Sequence, residues 1–120
     1  MTSMAREFFI VLFTKKNVEH DFLLRELDTI QVRVRSQRAQ IFEVLAESKS
    51  ATHEQIRIKS DYEAALALYR KGEFIRAEES FTALFITSND IPSRSMAERC
   101  REFIATPPEN WLGLVVMKEK

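Results

Sequence analysis

"YEAALALYRKGEFIRAEESFTAL", residues 62–84, decides the fold of this chain. Tyr62, Ala65, Leu66 and Tyr69 recur at i, i+3, i+4 and i+7, the spacing that lines one face of an α-helix. "KGE", residues 71–73, breaks the pattern, and Gly72 suits the left-handed backbone that follows a last helical turn. Phe74, Ala77, Phe81, Leu84 and Phe85 then mark the inner face of a second helix. "TSND", residues 87–90, ends that helix. Pro92 fits the first turn of a third, whose inner face carries Met96, Cys100, Phe103 and Ile104.

Working outward, Pro107 and Pro108 stop the third helix. "WLGLVVM", residues 111–117, reads as an apolar strap, with Trp111, Leu112, Leu114 and Val116 returning to the helices. On the other side, "AESKSATHEQIRIK", residues 46–59, is small and polar. It reads as a linker, with the first helix starting at Ser60. Everything before it is β-flavoured. "EFFIVLF", residues 7–13, reads as a strand buried on both faces. Thr14 can cap a short helix with Val18 and Phe22 on one side. Ile30, Val32 and Val34 alternate with Gln31, Arg33 and Arg35, the period of a half-buried strand. Two antiparallel strands are expected at 29–35 and 40–45. The predicted fold is α+β: short strands and one helix over residues 1–50, then a three-helix unit over 51–120 with an extended C-terminal strap.

The 120 residues are 45% hydrophobic and hold only two glycines, which argues for a packed core and against a many-turned all-β fold. Lys and Arg number 18 and so do Asp and Glu, so no net field draws the chain to nucleic acid or to a membrane surface. The longest apolar run, "FFIVLF" at 8–13, is far short of the about 20 residues a membrane-spanning helix needs. Cys100 is the single cysteine, which excludes a disulfide or a cysteine-based zinc site within one chain. A cytoplasmic protein without membrane insertion is expected.

Few residues suggest chemistry. His20 and His53 have no ligand partners at metal spacing and read as surface histidines. Asp61 and Glu63 read as complements to a helix dipole. Arg33, Arg35 and Arg38 read as the wet face of a strand in preference to a phosphate site. Ser36, Ser48, Ser50 and Ser60 lie in no nucleophile context. Cys100 reads as a small buried hydrophobe. Gly72 and Gly113 form no phosphate-cradling loop. No catalytic, metal-binding or cofactor-binding residue is expected, and no cofactor. Tyr62, Tyr69, Phe74, Ala77, Phe81 and Trp111 are the candidate packing or partner surface.

Two resemblances follow. "ALYRKGEFIRAEESFTAL", 67–84, resembles a tetratricopeptide helix pair, with Gly72, Phe74, Ala77 and Phe81 at the matching places. More widely, "YEAALALYRKGEFIRAEESF", "NDIPSRSMAERCREFI" and "PPENWLGLVVMKEK" resemble the C-terminal extension of bacterial class III adenylate/guanylate cyclases. "FFIVLFTKKNVEHDFLLRELDTIQVRVRSQRAQIFEVL", 8–45, looks like the end of a cyclase catalytic domain, with an "RELD"-like turn at 25–28 and an "IFEVL" strand at 41–45. The likeness covers roughly residues 8–120. The hairpin turn departs from it, with "RSQRAQ" where the family usually has Gly-Lys. Leu112 stands where the family's tail usually has an acid.

The resemblance implies a truncated, split or decayed cyclase without activity of its own. The family's metal-binding aspartates and its catalytic Asn and Arg lie upstream of the segment seen here. The implied partners are a cyclase catalytic domain or a second copy through "FFIVLF", since an unpaired apolar strand invites pairing. On that ground residues 54–120 are expected to behave better alone than residues 1–120. The alternative is a free-standing helical-repeat interaction module.

Overall fold

The computed structural model describes residues 7–11, 21–32 and 37–117. The chain is α+β. Its described strands are β1 (Glu7–Val11), β2 (Phe22–Val32), β3 (Gln37–Glu47) and β4 (Val115–Met117). They form one sheet in the order β1-β3-β2-β4. The β1 and β2 strands each run antiparallel to β3, while β4 runs parallel to β2. The helices are α1 (His53–Arg70), α2 (Phe74–Ser88) and α3 (Ile91–Ala105).

The hairpin is longer than its alternation predicts. Each of its strands has 11 residues, and β2 takes in residues 22–28. Phe22 therefore opens a strand and does not belong to a short helix; Thr14 and Val18 lie outside the described residues. Residues 25–28 run within the strand and do not form a turn. Register shifts between Leu23 and Leu24 and between Glu26 and Asp28 interrupt the pleat there. Such bulges place two residues against one and re-aim side chains, which hid the strand from a period-two reading.

The predicted linker at 46–59 is mostly ordered structure. β3 runs to Glu47, a 3₁₀ turn covers Ser48–Ser50, and α1 begins at His53, seven residues before the predicted start. Thr52 explains the early start. Its hydroxyl accepts from the Gln55 backbone N–H at 3.0 Å, and the Gln55 side-chain oxygen accepts from the Thr52 N–H at 2.9 Å. This reciprocal capping box satisfies donors that a helix N-terminus otherwise leaves open. The polar residues that follow are the helix's wet face, with Arg57 paired to Glu54 and Asp61. Asp61 and Glu63 consequently lie in mid-helix, away from the dipole end assigned to them; Glu63 pairs with Lys59.

Gly72 takes φ +84 and ends α1, its N–H donating to Tyr69 O at 2.9 Å. Asn89, at φ +52, ends α2 with an N–H bond to Phe85 O. Asp90 then caps α3, accepting from the Ser93 N–H and hydroxyl, with Pro92 in the first turn. Ala77 and Ala97 are fully enclosed and allow the helices to approach closely. Tyr62 meets Phe81 edge-on at 5.1 Å. Leu27 of β2 joins the same apolar core, and Ile41 of β3 packs against it. Phe103 faces inward with Met96 and Cys100, but Ile104 is exposed.

The tail splits the roles given to it. Trp111 packs on the helices and Leu114 is buried, but Leu112 is 66% exposed. Residues 115–117 then leave the helices and pair with residues 30–32 of β2. Among the described residues, no helix is long and apolar enough to cross a membrane.

Candidate functional site

The side chains that stand out are charged and enclosed. Arg25, Glu43 and Asp90 each have no solvent exposure. Arg25 and Glu43 are Cα partners across the β2–β3 hairpin. The Arg25 guanidinium donates through Nε to Glu43 Oε1 at 3.1 Å and makes a second, shorter bond to the same oxygen. Its other arm donates to Asp90 Oδ2 at 2.7 Å. The guanidinium lies over the Tyr62 ring, 4.8 Å from its centre. Four elements thus meet at one cation: β2, β3, α1 and the cap of α3.

Burial on its own would weaken the guanidinium's hold on its proton. The hydrogen bonds and charges of Asp90 and Glu43 outweigh it, and Arg25 stays above its ordinary value. Removing one member of such a group leaves an uncompensated buried charge, at a cost of about 3–5 kcal/mol.

A second cluster lies further along α3. Arg99 donates to Asp28 Oδ2 at 2.7 Å and to the Tyr69 hydroxyl at 3.3 Å. Burial pushes the Tyr69 phenol up to about 12, partly opposed by the Arg99 bond. Tyr62 is raised further by burial, and its hydroxyl donates to Leu27 O at 2.8 Å. Arg70 of α1 donates to Glu26 and Thr29 of β2, while Glu63 accepts the Glu26 backbone N–H.

Below these charges lies an aromatic group. Tyr69, Phe74 and Phe103 surround Trp111 with ring centres 5.2–5.4 Å from its own. The indole N–H donates to Tyr69 O and Arg70 O, both at 3.1 Å. These are carbonyls in the last turn of α1, where intrahelical partners run out. Gly113, at φ +85, lets the tail pass this end of α1: a Cβ there would stand 3.3 Å from Arg70 O.

Of the residues predicted as a packing or partner surface, Tyr62, Tyr69, Ala77 and Phe81 are buried in the core. Phe74 and Trp111 pack against that core and stay partly exposed. Phe74 and Phe103 also line a shallow groove with Ile75, Ile104 and Pro107, of about 430 Å³. His53, Arg38, Ser48, Ser50 and Ser60 are exposed; His20, Arg33, Arg35 and Ser36 lie outside the described residues. Cys100 is buried, and burial pushes its thiol up to about 11. Among the described residues, no three His, Cys, Asp or Glu side chains group as a metal site.

The sequence pattern assigns Arg25, Asp28, Glu43 and Asp90 to a turn, a strand and a helix end, and assigns none of them, nor Arg99, to a buried ion network. The available signal was a glutamate between two apolar residues, "FEV", facing an arginine beside a leucine, "LRE". Comparison with known proteins adds no neighbour: no family model, no curated protein and no solved structure matches the chain significantly.

Proposed function

We propose that this chain is a non-catalytic segment of an adenylate/guanylate cyclase-like protein. It comprises the closing strands of a catalytic domain and a helical extension, with a structural or regulatory part in cyclic-nucleotide signalling. One observation carries the reading: the stretches on which the resemblance rests meet at one junction. Arg25 comes from "RELD", Glu43 from "IFEVL", Asp90 from "NDIP" and Trp111 from "PPENWLG". The first three share one ion network. Trp111 packs edge-on to Tyr69, whose hydroxyl receives Arg99, itself paired to Asp28 of "RELD".

The test is to mix the chain with a class III cyclase catalytic domain that lacks its own closing hairpin. A saturable complex and an altered rate of cyclic-nucleotide formation are expected. Absence of both a complex and any rate change contradicts the proposal. So does cyclic AMP or GMP made by the purified chain alone from ATP or GTP with Mg²⁺ or Mn²⁺.

The groove between α2 and α3 favours a second reading, a helical-repeat interaction module, because Ile75 and Ile104 stand exposed at its edge. Ile75→Glu separates the two. It should leave the catalytic-domain complex intact under the first reading and abolish partner capture under the second.

A further inference from the structure

The apolar core that holds α1, α2 and α3 together is non-directional, so it specifies the seating of one helix on its neighbours less sharply than hydrogen bonds do. The polar bonds between α3 and β2 are directional and sit at two separated points. Asp90 at the start of α3 accepts from Arg25, and Arg99 donates to Asp28. Nine residues of helix span about 13.5 Å, and three residues of strand about 10 Å. Two anchors at that separation fix both the position of α3 and its direction across the hairpin. Asp90 is also the N-cap of α3, so its carboxylate is tied to the first turn through Ser93. A slide of one helical turn, about 5.4 Å, carries Asp90 out of hydrogen-bond reach of Arg25.

Arg25 itself cannot follow such a slide. One side of its fork is held by Glu43 across the hairpin, and its Cζ lies 4.8 Å from the centre of the Tyr62 ring of α1. A planar, multidentate cation of this kind accepts one arrangement of its partners, where a point charge accepts many. Whole buried ion groups can often be exchanged for apolar ones without loss of stability, so stability alone does not explain this network.

We infer that the Arg25 network is a register lock: it selects one seating of α3 on the β2–β3 hairpin, so that the hairpin and the helical unit move as one body. The lock is independent of the cyclase reading, because it concerns only how this chain transmits displacement from one of its halves to the other.

The test uses the full chain in three forms, followed by amide hydrogen exchange and by the NMR spectrum of α3. The triple variant Arg25→Met/Glu43→Met/Asp90→Asn removes all three charges and keeps a capping side chain on α3. Its urea midpoint should stay close to the parent's, while α3 amides show doubled or broadened resonances and protection at least tenfold lower relative to α1. Arg25→Lys keeps the charge and loses the fork, and it should lower α3 protection relative to α1 by a similar factor. One sharp set of α3 resonances with parental protection in the triple variant overturns the lock. If the triple variant does not fold, Arg25→Lys decides: unchanged α3 protection in that variant overturns the lock, and a selective tenfold loss supports it.

Discussion

Trp111 shows how much a single side chain can close. Its N–H takes two carbonyls at the end of α1, and its ring meets Tyr69, Phe74 and Phe103. Trp111→Ala should lower stability by about 3 kcal/mol, the low end for a large aromatic because the ring is only partly enclosed. Trp111→Phe keeps most of the packing and should lose about 1 kcal/mol for the hydrogen bond. Urea unfolding of both variants checks the order; equal losses would mean that the indole N–H matters more than the ring. The role of Trp111 was legible in the sequence because a lone tryptophan beside helix-stopping prolines has few other uses. Arg25 and Glu43 were not. Glu43 has apolar neighbours and Arg25 follows a leucine, but burial of a charge depends on a partner 18 residues away and a third at residue 90. No local pattern encodes such a meeting.

At the scale of elements, the helices follow from apolar spacing, and the errors fall at their ends. Residues 53–59 carry one inward residue, Ile58, so periodicity is silent there, and the capping box of Thr52 and Gln55 sets the start. Thr52→Ala should cost about 1 kcal/mol and speed amide exchange in the first turn of α1. Exchange unchanged at residues 53–56 would show that the Gln55 side-chain bond to Leu45 O of β3 holds this turn instead. The hairpin departs from its sequence pattern for a different reason. Its bulges break the alternation over residues 22–28, and that is the part carrying Arg25 and Asp28. The irregular pleat and the buried charges therefore occur together, and the pattern fails where the candidate site lies.

For the whole molecule, two phenols set an alkaline limit. Burial raises Tyr62 and raises Tyr69 to about 12, so the folded chain holds their protons more tightly than the unfolded chain does. That contribution is fully present below the ordinary tyrosine value of about 10 and is lost as pH rises from there toward 12. Urea midpoints should therefore be flat from neutral pH to about 9.5 and fall above it, with a shallower fall in Tyr69→Phe. A parallel fall in both proteins would remove Tyr69 from the account and leave Tyr62 or other groups as the cause. Among the described strands, β1 lies at an edge of the sheet, and an apolar edge strand invites pairing with a second copy. Light scattering should show self-association that grows with concentration; a monomer at all concentrations would remove that partner.

The buried network leads to a different prediction for residues 54–120. Cutting there removes Arg25 and Glu43, exposes the Leu27 contact and leaves Asp90 and Arg99 without the partners that enclose them. The halves should therefore unfold together. The direct measurement is urea unfolding of the full chain followed by Trp111 fluorescence, which reports the helices and tail, and by the amide resonances of Leu24 and Phe42, which report the hairpin. One shared midpoint is predicted. Loss of the hairpin signals at lower urea, with the Trp111 signal still native, would show that the ion network does not join the two halves.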